Sequence, residues 1–139
     1  SNPKHSGVID TVEVVVCGAH LEGLPLNWQL TERGGKLIKK TISSAKYRLY
    51  ALAGGPPFRP GMVRDERDGQ SIEVEVWSLP TATFGSFVAG IPAPLGLGKV
   101  ELEDKRWYIG FICESYAFEQ AEDITAYGSW RNYLATLNQ

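Results

Sequence analysis

The stretch Val12-Glu-Val-Val-Val-Cys-Gly-Ala-His-Leu-Glu-Gly-Leu-Pro-Leu-Asn27 carries the strongest structural signal in this chain. Its β-branched first part, residues 12–16, predicts a buried strand. The strand is expected to end at Gly18, and His20 then lies on the loop that follows. Gly18 and Gly23 tolerate backbone angles that other residues resist, so the amides of this loop are expected to converge on a small polar ligand. His20, with an unperturbed pKa of about 6.5, is suited to bind or move a proton there.

The length and charge of the chain limit the classes of protein to which it can belong. At 139 residues it is expected to form one domain with a core of its own. A net charge of −2 argues against a nucleic-acid surface. No apolar run approaches the roughly 20 residues that span a bilayer, and no signal peptide precedes Val8. These features predict a cytoplasmic protein with no nucleic acid and no membrane among its partners.

The sequence divides the chain into a short start segment and one domain. Ser1-Asn2 without a methionine resembles the remnant of a tag, so residues 1–10 are predicted to be a disordered or tag-derived start. Residues 11–139 are predicted to be the single domain.

Cys17 and Cys113 are interpreted as buried free thiols, and a disulfide would require their two strands to be neighbours.

Alternating and turn-forming residues predict a chain dominated by strands. The segment 24–38 is ambiguous, with loose helical spacing and Gly34-Gly35 as a stop. Proline and glycine predict loops at 54–61 and 90–98. Strands are predicted at 36–43, 44–52, 62–64 and 71–79, with a hairpin of 99–103 and 107–114, a short helix at 80–87 and a longer one at 119–137. This pattern favours an α+β fold with a mostly antiparallel, barrel-like sheet.

His20 is one of only two histidines, and the other, His5, lies in the start segment. It either completes a hydrogen bond across its loop or takes part in chemistry, and its position among glycines beyond a buried strand supports chemistry. Two distant cysteines and one such histidine do not make a zinc-like ligand set, so no metal is predicted. The chain has no P-loop, dinucleotide fingerprint or Gly-x-Ser-x-Gly elbow, and no cofactor is predicted.

Charged and phenolic side chains offer candidates for binding a carboxylate. Tyr47, Arg48 and Tyr50 either pack a sheet face or form a planar carboxylate binder. Arg59 and Arg64 are weaker alternatives because they lie near a proline-rich loop.

Glu114 closes a predicted strand and is interpreted either as a charge at the rim of the site or as a proton donor or acceptor.

Six spaced segments resemble the C-terminal domain of allophanate hydrolase. The resemblance runs from about Val12 to about Leu137. It is carried by CGAHLEGLPLNWQLTERGG, YRLYAL, PPFRPGMVR, IEVEVWSLP, FGSFVAGIPAPLGLGKVEL and GFICESYA. No amidase-signature segment is present. The resemblance implies a fold like that of γ-glutamyl cyclotransferase: a small, mixed, barrel-like sheet with flanking helices.

The resemblance also implies an activity. In cyclotransferases a loop after the first strand holds the substrate, and Cys17-Gly-Ala-His20 matches it here. The segment 84–90 lacks the glutamate that cyclotransferases use, so cyclotransferase chemistry is not expected.

The C-terminal half of allophanate hydrolase is thought to decarboxylate N-carboxycarbamate, the product of the amidase half, giving carbon dioxide and ammonia in urea or s-triazine catabolism. His20 would be the catalytic residue. The expected substrate-binding residues are Gly18, Ala19, Leu21, Gly23, Leu24, Asn27, Tyr47, Arg48 and Glu114.

Two other functions remain open. The chain is alternatively a non-catalytic module that docks the amidase domain, in cis or in trans, or that forms a homodimer, with Trp28, Trp77 and Trp107 at an interface. A small-metabolite-binding protein is a third interpretation.

Overall fold

A computed structural model describes residues 9–137 of the chain. Its centre is the predicted first strand, β1, which spans Thr11–Val16 and buries its last three valines completely or nearly so. These valines are buried because β1 has a strand on each side and packed side chains on both faces of the sheet. The larger sheet has the order β2-β5-β1-β7-β6, with β2 at Lys36–Ile42, β5 at Glu73–Pro80, β6 at Leu95–Glu101 and β7 at Trp107–Cys113.

A smaller sheet lies beside the larger one. It has the order β4-β3-β8, with β3 at Tyr47–Ala51, β4 at Pro60–Arg64 and β8 at Glu122–Asp123. Strand β1 pairs antiparallel with β5 and parallel with β7, while the other pairings are antiparallel. The predicted mixed, mostly antiparallel α+β architecture is confirmed. The two sheets stay open and do not close into a barrel.

Within residues 9–137, three α-helices flank the sheets. They are α1 at Trp28–Thr31, α2 at Thr81–Ala89 and α3 at Trp130–Leu137. The ambiguous segment 24–38 therefore contains one short helix followed by the start of β2. Gly34, with φ of +80°, turns the chain between them, as the predicted glycine stop requires. Helix α2 follows β5 directly and confirms the short helix predicted at 80–87.

The helix predicted over 119–137 is wrong for its first half. Instead, 3₁₀ turns at Ser115–Gln120 and Thr125–Tyr127 flank β8, and helix begins only at Trp130. The cause is tertiary: Thr125 Oγ1 accepts the Leu49 amide (2.9 Å), and the Ile124 amide donates to the Leu49 carbonyl (2.8 Å). Pairing with β3 thus overrides the helical preference of this segment.

Both predicted loops end earlier than expected. The loop at 90–98 gives way to β6 at Leu95, and the loop at 54–61 to β4 at Pro60. Gly98 lies within β6, where it pairs with Gly110 of β7. The predicted hairpin of 99–103 and 107–114 is confirmed as β6 and β7.

The described residues form one hydrophobic core between the sheets and the helices. Cys17 and Cys113 are both buried and unpaired, as the sequence predicted. Within 9–137, no helix has the length and apolar character needed to cross a bilayer. The predicted start, residues 1–10, lies mostly outside the described residues.

Candidate functional site

The candidate site begins where β1 ends. Gly18 is required there for space, because a Cβ would overlap the ring of Pro60 at the start of β4. The sequence-based explanation, an unusual backbone angle, applies to Gly23, whose φ is +80°, but not to Gly18. The close contact with Pro60 brings the loop after β1 against the smaller sheet.

The loop from Gly18 to Asn27 is held by its own hydrogen bonds. The Leu21 amide donates to the Gly18 carbonyl (2.9 Å), and the Leu26 amide donates to the Ala19 carbonyl (2.9 Å). Asn27 Nδ2 donates to the His20 carbonyl (2.8 Å). These contacts fix the backbone of His20 without using its ring.

The ring of His20 is 94% buried in an apolar setting. It stacks on Phe111 (centroids 5.0 Å apart) and meets Phe87 edge-on (5.3 Å). Its Nε2 donates to Oε1 of Gln29 at 2.7 Å. With the proton on Nε2, Nδ1 is the nitrogen that can accept or release a further proton.

These surroundings favour the neutral imidazole. Burial lowers the pKa of His20 below its ordinary value of 6.5, the hydrogen bond to Gln29 opposes this effect, and the positive charge of Arg59 lowers the pKa further. His20 is therefore a neutral ring at neutral pH.

A cleft opens beside His20, and the space in and above it, open solvent included, is about 280 Å³. Its walls come from the end of β1, the start of β4, the start of β6 and the middle of β7. They contain no carboxylate. The lining residues are Cys17, Gly18, Ala19, His20, Arg59, Pro60, Leu95 and Phe111.

Arg59 supplies the positive charge of this cleft. Within residues 9–137, no ion pair and no side-chain hydrogen bond engages its guanidinium. Burial lowers its pKa, although a guanidinium stays charged at neutral pH. Arg59 also lines an adjoining cleft of about 460 Å³, formed by residues of 52–57 and 92–95. The cation thus stands between the two cavities.

The predicted loop residues divide into two groups. Gly18, Ala19 and His20 line the cleft. Leu21 is buried on the opposite side, beside Glu75. The remaining three do not line the cleft: Gly23 is exposed, Leu24 packs against the core and Asn27 supports His20.

The expected set of free amides is also reduced. The amides of Leu21 and Leu24 bond to carbonyls of the loop itself. The Glu22 amide donates to Oε1 of Glu75 (2.8 Å). These three amides serve the fold, so a ligand in this cleft depends more on side chains than the sequence suggested.

The structure places Tyr47 and Arg48 outside the cleft, in β3. Tyr47 is buried, and its hydroxyl accepts the Glu101 amide (2.9 Å). Arg48 pairs with Asp123 and donates to the Asp68 carbonyl. Both side chains have structural roles that the sequence pattern did not distinguish from ligand binding.

Glu114 also lies outside the cleft. It is exposed, and its amide donates to the Pro94 carbonyl (3.0 Å) at the start of a 3₁₀ turn. Cys17 lines the cleft, yet burial raises its pKa to about 12, so it is a protonated and unreactive thiol. Of the three tryptophans considered for an interface, Trp77 belongs to the core.

Three residues near the site were missed or ranked low from the sequence. Gln29 orients the ring of His20, and nothing in the pattern marks it. The sequence favours Arg48 over Arg59, because Arg59 lies near a proline-rich loop. Glu75, on the face of β5 opposite Val74 and Val76, is buried where strand alternation gave no sign of a polar network. Among residues 9–137 no group of three or more His, Cys, Asp or Glu could hold a metal ion.

The fold is shared with the class of γ-glutamyl cyclotransferase-like proteins. A solved γ-glutamyl cyclotransferase superposes with a TM-score of 0.54 over 82% of this chain and 72% of its own, at 11% identity. That likeness establishes the fold alone, as the sequence resemblance predicted.

Within this class the chain belongs to the allophanate hydrolase C-terminal domain family, whose model matches residues 12–135. It is 43% identical to the urea amidolyase of Lachancea kluyveri over 94% of its own length and 7% of that protein. The solved allophanate hydrolase of Kluyveromyces lactis matches with a TM-score of 0.90 and 39% identity over 94% of this chain and 22% of that one. The chain thus spans a small part of these relatives.

Proposed function

We propose that this domain decarboxylates a small N-carboxylated substrate, and that the substrate is N-carboxycarbamate formed by an amidase domain during urea degradation. The observation that supports it best is the setting of His20. The His20 side chain is 6% exposed and borders the cleft, and among residues 9–137 its ring has one hydrogen-bond partner, which leaves Nδ1 free.

The reaction requires one proton at one place. In the dianion of N-carboxycarbamate, the C–N bond to one carboxylate breaks, and its electron pair stays on nitrogen while carbon dioxide leaves. Nitrogen takes up a proton, which leaves the carbamate anion. A second loss of carbon dioxide with a second proton gives ammonia. The protein therefore has to deliver a proton to nitrogen as the bond breaks.

The side chains of the cleft match these needs. His20, once protonated at Nδ1, is the group that would donate to nitrogen. Arg59 supplies a positive charge for the carboxylates. Phe111 and Phe87 exclude water from the ring of His20, which strengthens charge interactions in the cleft. The domain would act with an amidase domain in cis or in trans.

The test is carbon dioxide release. The domain is added to an amidase-only allophanate hydrolase acting on allophanate, and release is followed for the native chain and for His20→Ala. We expect faster release with the native chain and none above background with the variant. His5→Ala, which changes the other histidine, is the matched control and should behave as the native chain does.

The exposed tryptophans support a second function. Trp28 and Trp107 are 51% and 52% exposed, which is unusual for so apolar a side chain. A docking or oligomerisation module, including a homodimer, would use such residues. Equal carbon dioxide release with the native chain, with His20→Ala and without the domain would exclude the decarboxylase. The effect of Trp107→Ser on the molar mass in solution would then test the module.

A further inference from the structure

Arg59 carries a charge that the fold does not use. Arg48 pairs with Asp123 and Arg131 with Glu75, so these guanidiniums are neutralised inside the protein. Within the described residues, Arg59 has no such partner. A partly buried cation without a counter-ion is costly, and the cost is recovered when an anion binds.

The position of Arg59 determines where that anion would lie. Arg59 and Leu95 line both the cleft of His20 and the adjoining cleft of about 460 Å³. An anion bound to the guanidinium on the side of the smaller cleft is next to His20.

The other groups that face His20 are uncharged. Helix α1 contributes the neutral amide of Gln29, while α2 and β7 contribute Phe87 and Phe111. Cys17, with a pKa of about 12, is neutral. Arg59 is therefore the charged group of this cleft that acts on His20, and burial is the other main influence on the ring.

We propose that Arg59 anchors one carboxylate of a dicarboxylated substrate, and that this carboxylate cancels the charge of Arg59 and thereby loads His20 with its proton. This inference rests on the proposed function and assigns it a specificity residue. The guanidinium opposes a second positive charge nearby while the site is empty. Once the anion is bound, solvent supplies a proton to Nδ1, and that proton passes to nitrogen as the C–N bond breaks. The site becomes a proton donor only when it is occupied.

Malonate is a suitable probe because it replaces the N–H of N-carboxycarbamate by CH₂ and does not react. Its affinity is measured by calorimetry for the native chain, for Arg59→Gln and for Arg48→Gln. We expect Arg59→Gln to weaken binding about 30-fold or more, since truncating a charged partner costs about 2 kcal/mol or above. Arg48→Gln, an arginine of the neighbouring sheet with its own partner, should leave the affinity unchanged.

The proton-loading step predicts that the pKa of His20 rises in two cases, each with a different cause. In NMR titrations of the native chain, saturating malonate should raise the pKa of the His20 ring by about one unit. Arg59→Gln should raise the pKa of His20 without malonate, and the malonate concentration that saturates the native chain should then add little, because the variant binds malonate weakly. With only two histidines in the chain, His5→Gln assigns the signals.

Equal malonate affinity for the native chain and Arg59→Gln would overturn the anchor. Unchanged titration of His20 in the presence of bound malonate would overturn the loading step. Neither measurement involves turnover. If His20→Ala kept full carbon dioxide release while Arg59→Gln lost malonate, the proposed reaction would fail and the anchor would stand.

Discussion

The loop after β1 has a buried polar group on each side, and the two groups differ in how they are satisfied. On one side, the Glu75 carboxylate accepts three hydrogen bonds: from the Glu22 amide (2.8 Å), Trp77 Nε1 (3.0 Å) and Arg131 Nη2 (3.0 Å). On the other side, His20 has one polar partner and two aromatic neighbours. Both groups border a cleft.

This difference separates a structural group from a candidate catalytic one. A carboxylate with both oxygens occupied has little capacity left for a ligand, and its partners hold the loop to β5 and α3. A histidine with a free nitrogen beside an unpaired cation has such capacity. Burial is common to both groups, whereas unused hydrogen-bonding capacity is found only at the candidate, His20, of the two.

The largest change in the free energy of unfolding is expected from a substitution of Glu75. Glu75→Ala leaves the Glu22 amide and Trp77 Nε1 without their acceptor, so we expect a loss of about 3 kcal/mol in the free energy of unfolding. Urea denaturation measures it. Glu73→Ala, two residues earlier on the same strand and exposed, should change it by less than about 0.5 kcal/mol. A loss below 1 kcal/mol for Glu75→Ala would contradict the structural role.

On the His20 side, Gly18→Ala disturbs packing without removing a polar contact. The new methyl group would overlap the Pro60 ring, next to Arg59, and such overpacking typically costs about 1–3 kcal/mol. Gly85→Ala in α2 is the matched control because no atom lies within 4 Å of its Cβ. That control should stabilise the protein by about 0.5 kcal/mol or more. The melting temperatures of the two variants are compared by thermal unfolding. Equal values would show that the Pro60 ring moves aside without a cost in stability.

The sequence predicted those parts of the fold in which local pattern and tertiary context agree. Strand β1 has a β-branched run, helix α2 begins directly after Pro80, and the β6–β7 hairpin has a turn signal at Asp104-Lys105. The segment 119–137 failed because Thr125 and Ile124 bond to Leu49, far away in the chain. No local pattern contains that pairing.

Prediction of the site is limited in the same way, because it too depends on contacts between residues that are distant in the sequence. The position of His20 beside a cleft was predictable from a lone histidine after a buried strand, while its catalytic role stays a prediction. The choice between Arg48 and Arg59 was not, because it depends on Asp123, which neutralises one and lies 75 residues from it in the chain. Likewise, Glu75 lies on a face of β5 that the alternation alone could not show to be covered.

A smaller effect is expected from pH. The pKa of His20 is lowered in the folded protein, so the unfolded chain binds more protons, and stability is lost as the pH falls below about 6.5 toward the folded pKa. The slope from this one group is at most about 1.4 kcal/mol per pH unit. Urea titrations at several pH values should show this loss in the native chain, and His20→Asn should remove it. An identical pH slope in both proteins would mean that His20 is not desolvated.

The smallest effect separates the two arginines. Arg59→Gln removes a charge without a partner among the described residues, so the free energy of unfolding should stay constant or rise slightly. Arg48→Gln breaks the pair with Asp123, whose side chain is 40% exposed, and should cost about 0.2–1 kcal/mol. Chemical denaturation in low salt distinguishes the two, and added salt should reduce the loss for Arg48→Gln alone. An equal loss of stability for Arg59→Gln and Arg48→Gln would mean that Arg59 has a stabilising partner within the fold. The His20 side of the loop would then have no unpaired charge, and it would differ from the Glu75 side only in its hydrogen bonds.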